Sequence, residues 1–330
     1  MKYSAIDLHS NNNVLVVSDE TDRVLVEKRL PNQISRILEL LAPHREEISG
    51  VVVESTYNWY WLVDGLTAAG YKVYLANTGA IKTYDGLKHS GDEADARHLA
   101  HLLRLGILPT GYISPPAQRA LRDLARRRLH LVRTRTAQIL SVENQVTRQT
   151  GRHIRSNEVK RLDAASVAAM GLPEDVARGM AANVAVIQTL NEEIEKLEAR
   201  LLDEVQNTAG WVLLNSVPGI GKALAIVILL EIGTIERFAD VGNFASYARC
   251  VDSVRVSNGK KKGEGNSKNG NKYLSWAFVE AAHFAARFCP QAKRFYAKKF
   301  AKTNGAVATK ALASQARTGL LSHLEDRAAV

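Results

Sequence analysis

The chain has 330 residues, with 44 Lys and Arg against 34 Asp and Glu, a formal net charge of +10 and an isoelectric point of about 9.6. That length suits two or more domains, and the positive balance points to a polyanionic partner. No apolar run can span a bilayer, no signal peptide opens the chain, and Cys250 and Cys289 lie far apart without metal-ligand spacing, so membrane, zinc-site and disulfide-framework classes drop out and a soluble, cytoplasmic protein is expected.

Residues 3–9 read as a first strand with Asp7 alone among apolar neighbours; residues 14–18 and 23–29 continue as strands, and Asn11-Asn12-Asn13 and residues 19–22 are the turns between them. A helix over 33–41 follows, then an apolar run, 48–54, ending on Glu54. Buried parallel strands read as such runs, and open sheets place their sites at strand carboxyl ends, so Asp7 and Glu54 are expected on neighbouring strands. Residues 57–69 read as a helix carrying Tyr57, Trp59, Tyr60 and Trp61. Those rings suit base stacking, but Leu62, Leu66 and Ala69 continue the same apolar pattern and favour packing on the sheet. A strand at 72–75 precedes a loop-rich stretch, 77–89, with Lys82 and Lys88 near the site.

Asp92 and Asp95 open the next helix, whose apolar positions are Ala96, Leu99, Ala100, Leu102 and Leu103. Three residues apart on a helix is one face, where two carboxylates repel each other unless they serve as oxygen ligands to a hard cation. First-turn acids stabilised by the helix dipole are the plainer alternative. Read beside Asp7 and Glu54, the pair completes a cluster of four carboxylates. Pro109, Pro115 and Pro116 then mark a connector.

From residue 117 the composition changes. Arg119, Arg122, Arg126, Arg127, Arg128, Arg133 and Arg135 interleave with leucines on one long helix, with Asp123 as the sole interleaved acid, which leaves the cations available for phosphates. A solvated basic face is the alternative. Ile187, Leu190, Ile194, Leu197 and Leu201 form a short heptad seam, which fits either a dimer coil or an antiparallel hairpin with the basic helix. Gly219, Gly221 and Lys222 lie at a turn between two helices that resembles a helix-hairpin-helix and suits phosphate binding, or else a tight packing turn. Residues 255–273, rich in Gly, Asn and Lys, with Lys260, Lys261 and Lys262 together, read as a mobile basic loop.

The order of strands and acids is similar to the ribonuclease H-like fold, and Asp7, Glu54, Asp92 and Asp95 resemble the DEDD set of RuvC-like nucleases. More narrowly, Ala5-Ile6-Asp7, Val53-Glu54-Ser55-Thr56, Asp92–Arg97, Val217-Pro218-Gly219-Ile220-Gly221 and Ser267-Lys268-Asn269-Gly270-Asn271 resemble the DEDD transposases of insertion sequences related to the Piv invertase. The resemblance implies an α/β RuvC-like domain over 1–110, a basic all-α, coiled-coil connector over 111–206 and a helical C-terminal transposase domain over 207–330. It further implies Mg²⁺ on the four acids, a serine nucleophile at Ser257 with Ser267 as second choice, DNA ends and target as substrates, a structured guide RNA (bridge RNA), and a homo-oligomer, dimer or tetramer. Arg249-Cys250-Val251-Asp252 departs from the Gly-Leu-x-Pro type of sequence frequent there, so the register of the serine stays open. A junction-resolving nuclease using water, and a non-catalytic nucleic-acid-binding protein on a degenerate scaffold, are the rival readings.

Overall fold

The structure is a computed structural model and describes residues 1–81, 91–251, 254–264 and 269–315; Lys82, Lys88 and Ser267 lie outside them. The chain forms two compact units, Met1–Pro116 and Ala117–Val330.

In the first unit, β1 (Lys2–Leu8), β2 (Asn12–Asp19) and β3 (Val24–Pro31) form an antiparallel meander, and β4 (Ile48–Glu54) and β5 (Val73–Ala76) extend it parallel to β1. A two-residue antiparallel strand, β6 (Thr110–Gly111), completes the order β3-β2-β1-β4-β5-β6. Strand side chains alternate between faces, and each face here buries its own set. Ile6, Leu8, Val51 and Val53 pack with α1 (Ile34–Leu41) and α2 (Tyr60–Ala68) through Ile37, Leu41, Leu62 and Leu66. Ala5, Val52 and Ala76 pack instead with Leu99 and Ala100 of α3 (Asp92–Arg104), while Ala96 meets Val14 and Val16. Trp59 and Trp61 pack against the α1–α2 side of the core, as the apolar continuation of that helix implies, whereas Tyr57 precedes it and is exposed. The unit is a mixed sheet with helices on both faces, the ribonuclease H-like arrangement expected of the sequence.

The second unit is helical. The basic stretch forms α4 (Pro116–Thr150), and α7 (Glu174–Val205) returns along it after α5 (Ser156–Val159) and α6 (Ala164–Ala168). The residues that meet run in opposite senses: Ile139, Val142 and Val146 share a core with Ile187, Val184 and Met180, and Ala125 with Leu201 and Val205. Of the two outcomes the heptad allowed, this is the intrachain antiparallel hairpin. Then α8 (Ala209–Ser216), α9 (Lys222–Ile232), α10 (Val241–Tyr247), α11 (Lys272–Phe288) and α12 (Pro290–Phe300) build the C-terminal core around Phe244, Phe278, Leu274 and Ile228. Between α10 and α11 the stretch read as a loop contains an antiparallel hairpin, β7 (Val254–Ser257) and β8 (Lys260–Glu264), joined by Asn258-Gly259. Both turn residues have positive φ, 50° and 69°, the conformation a two-residue type I′ turn requires and Asn-Gly supplies. Among the described residues no helix is long and apolar enough to cross a membrane.

Candidate active site

The pleat of the first unit's sheet assembles the acids. Asp7 lies two residues beyond Ala5 and Glu54 two beyond Val52, so both side chains point to the face that α3 covers. On α3, Asp95 is one turn before Leu99 and Asp92 one turn before Ala96, the inward residues of that helix. Asp7 is buried at 4% exposure, and Glu54 is half-buried.

Electrostatics register the crowding. Burial, a hydrogen bond with Asp7 and the charges of Asp7 and Asp95 push the Glu54 carboxyl up to about 8. Burial, then the charges of Asp7 and Asp92, also raise Asp95. Asp92 moves the other way, held below the usual carboxylate range first by its hydrogen bond from Arg29, at 2.6 Å, and also by His9. Carboxylates converging in a half-buried place protonate or gather a cation.

His9, just past β1, was not singled out in the sequence. Its Nε2 lies 3.3 Å from Asp7 Oδ2 and 3.0 Å from Asp92 Oδ2. One ligand atom from each of Asp7, His9 and Asp92 falls within 4.8 Å of the others, a spacing a single cation can bridge. Asn32 and Asn58 both donate to the His9 carbonyl, each at 3.0 Å, which fixes the turn carrying the imidazole. The signal was spacing: Asp7 and His9 are two apart, one face of an extended chain. Beside the acids, a cavity of about 160 Å³ is lined by Glu54, Asp95, His98, Thr78, Ile81 and Leu99. The donor set, mostly carboxylate oxygen, fits a hard divalent cation, with the imidazole as a further ligand.

The second unit places the remaining residues. Ser257 ends β7, is exposed and pairs with Lys260 across the turn; Lys260 and Lys262 are exposed on β8, which also contains Lys261. Along α4 the arginines divide. Arg127 and Arg133 are exposed, Arg133 with its guanidinium 6.0 Å from the Trp276 ring centre. Arg119 is buried, and Arg122 is half-buried with its Nε 3.8 Å from Asp123. Arg126 grips Glu231 of α9 through two bonds, 2.6 and 2.7 Å, and Arg128 is paired with Glu198 of α7. The scarcity of acids on α4 itself therefore did not leave all these cations unpartnered: the partners lie 105 and 70 residues away in sequence. Gly219 has φ +93°, and a Cβ there would lie 2.3 Å from the Ala281 carbonyl of α11, so close helix packing accounts for this glycine. Gly221 caps α9, a Cβ there would meet open space, and Lys222 begins that helix, exposed.

Comparison with known proteins finds two matching regions, the first running from the sheet unit into α4. Residues 5–150 match a DEDD-type transposase family model of the IS110 kind, and residues 212–297 match the transposase family described as IS116/IS110/IS902. A probable family 20 transposase of Pseudomonas aeruginosa is 25% identical over 238 residues, covering 70% of this chain and 69% of that protein. An insertion element IS110 protein of Streptomyces coelicolor is 27% identical over 131 residues, 40% of this chain and 32% of that one. With both transposase regions present in this order and the acids gathered on one face of the first unit, the chain belongs to the IS110-type DEDD transposases, a family of enzymes that cut and rejoin DNA.

Proposed function

We propose that the protein is the recombinase of an insertion sequence and exchanges DNA strands through a covalent serine intermediate. The observation that carries the reading is the convergence of Asp7, Glu54, Asp92 and Asp95 on the α3 face, with Glu54 pushed up to about 8. Support for the serine is its exposure at the end of β7, beside the exposed lysines of a hairpin.

Asp7, Glu54, Asp92 and Asp95, with His9, would hold the divalent metal, Mg²⁺ in our reading. When bound, the metal supplies electrostatic stabilisation of the oxygens that gain charge at the phosphodiester. Ser257 Oγ attacks phosphorus, its proton passing to solvent; the new Oγ–P bond replaces the P–O bond to one sugar, whose oxygen leaves and takes up a proton. Reversal by the hydroxyl of another strand rejoins DNA and frees the serine, so the bond energy is kept in the protein–DNA ester. Exposed Arg127, Arg133, Lys260 and Lys262 suit contacts to phosphates. A structured guide RNA and a homo-oligomeric assembly belong to the same reading, on the strength of the family resemblance.

The test is Ser257→Ala assayed on DNA carrying the element's ends. Strand exchange should be lost while folding, metal binding and DNA affinity persist. Continued cutting with hydrolysed ends would instead make the protein a nuclease with water as nucleophile.

A further inference from the structure

The hairpin that bears Ser257 lies in sequence between Tyr247, the last residue of α10, and Asn271, the cap of α11, and the residues on either side of it, Tyr247 and Arg249 before and Asn269 to Asn271 after, are tied to each other and to the helical core. Asn271 N–H donates to the Tyr247 carbonyl at 2.5 Å. Arg249, itself at φ +54°, donates from Nε to the carbonyls of Asn269 and Gly270 at 3.1 and 3.0 Å. Gly270, at φ +93°, leaves only 2.5 Å between a Cβ and the Tyr247 carbonyl, so a side chain there would force the two ends apart.

Asn271 links this junction inward. It is 7% exposed and both ends of its amide are used: Oδ1 accepts from Tyr273 and Leu274 N–H, capping α11, and Nδ2 donates to Tyr247 Oη at 3.2 Å and Glu231 Oε2 at 2.6 Å. Glu231, 4% exposed on α9, whose other residues after Lys222 are apolar, is the carboxylate that Arg126 of α4 holds with two bonds, and the Arg126 guanidinium lies 4.5 Å from the Tyr273 ring centre. Burying a carboxylate among leucines costs stability that a hydrocarbon at the same place would not, and its gain is a defined geometry.

We propose that Arg126, Glu231, Asn271 and Arg249 form a positioning clamp that sets the direction in which the serine hairpin leaves the helical core, and through it the placement of Ser257. The effect on chemistry rests on Ser257 as nucleophile; the clamp itself does not. None of the four touches DNA in this account, so their loss acts on the rate of attack rather than on DNA affinity.

Two variants of the full chain test it. Asn271→Asp retains the acceptor that caps α11 but sets a second carboxylate against Glu231. Arg249→Asn removes the bonds to Asn269 and Gly270 with a residue suited to positive φ and alters no buried group. In the protein alone, trypsin nicking after Lys260 and Lys262 should rise at least tenfold in both, with nicking elsewhere unchanged save at position 249, whose cleavage site Arg249→Asn removes. On DNA carrying the element's ends with Mg²⁺, the maximal rate of protein–DNA adduct formation should fall at least tenfold, and the DNA concentration for half-maximal rate should stay within twofold. Nicking and rate within twofold of wild type in both variants, or nicking raised equally along the whole chain, would overturn the clamp. Selective nicking in the variants together with no adduct in the wild type would uphold the clamp and remove the serine as nucleophile.

Discussion

At the residue scale, Glu54 carries the largest consequence. Its carboxyl is pushed up to about 8 by burial first and then by Asp7 and Asp95, whereas the unfolded chain releases that proton near the ordinary value of about 4.5. Between those values the folded protein binds more protons than the unfolded one, so stability falls as pH rises; Asp95, also raised, acts in the same sense. Metal-free protein should therefore be more resistant to urea at about pH 5 than at about pH 8, and Glu54→Gln should flatten that difference. Adding divalent metal at the higher pH should restore stability and release protons, which titration in weak buffer measures. Asp7→Asn should abolish metal-dependent cutting and leave DNA affinity nearly intact, as gel-shift and cleavage assays on one preparation would show. Full cutting activity in Asp7→Asn would remove the metal centre from the mechanism.

At the scale of elements, α4 joins two tasks on one helix. Arg126 is committed to buried Glu231, so Arg126→Gln should cost about 3 kcal/mol in urea unfolding, because it strips a buried carboxylate of its charge partner. Arg127→Gln should leave stability within about 0.5 kcal/mol and flatten the salt dependence of DNA binding by roughly one unit. Gly219→Ala, which forces a Cβ against the Ala281 carbonyl at positive φ, should destabilise by about 3 kcal/mol, measured the same way. The sequence made the first unit legible because its local patterns agree with its fold: strand alternation alone puts Asp7 with Ala5 and Glu54 with Val52. It did not disclose the partners of Arg126 and Arg128, since acids 105 and 70 residues away carry no local trace. The β7–β8 hairpin was hidden differently. Asn258-Gly259 is a strong turn signal and Val254-Arg255-Val256-Ser257 alternates before it, but the second flank, Lys260–Glu264, has no apolar residue at all and so lacks the alternation that makes a strand visible.

At the scale of the whole molecule, the acids and the serine stand in different units, Met1–Pro116 and Ala117–Val330, and neither half alone accounts for an enzyme that cuts and rejoins DNA. A carboxylate cluster with metal suffices for hydrolysis, and an exposed serine hydroxyl is a weak nucleophile at neutral pH without activation. We propose that the two act in one reaction. The most direct measurement is to stop the reaction on DNA carrying the element's ends with denaturant, isolate the protein–DNA adduct and map it by peptide mass spectrometry, with wild type and Asp7→Asn in parallel. The expected result is an adduct on Ser257 in the wild type that requires divalent metal and is absent in Asp7→Asn. Cut DNA with no adduct in the wild type, or an adduct on Ser257 undiminished in Asp7→Asn, would contradict it.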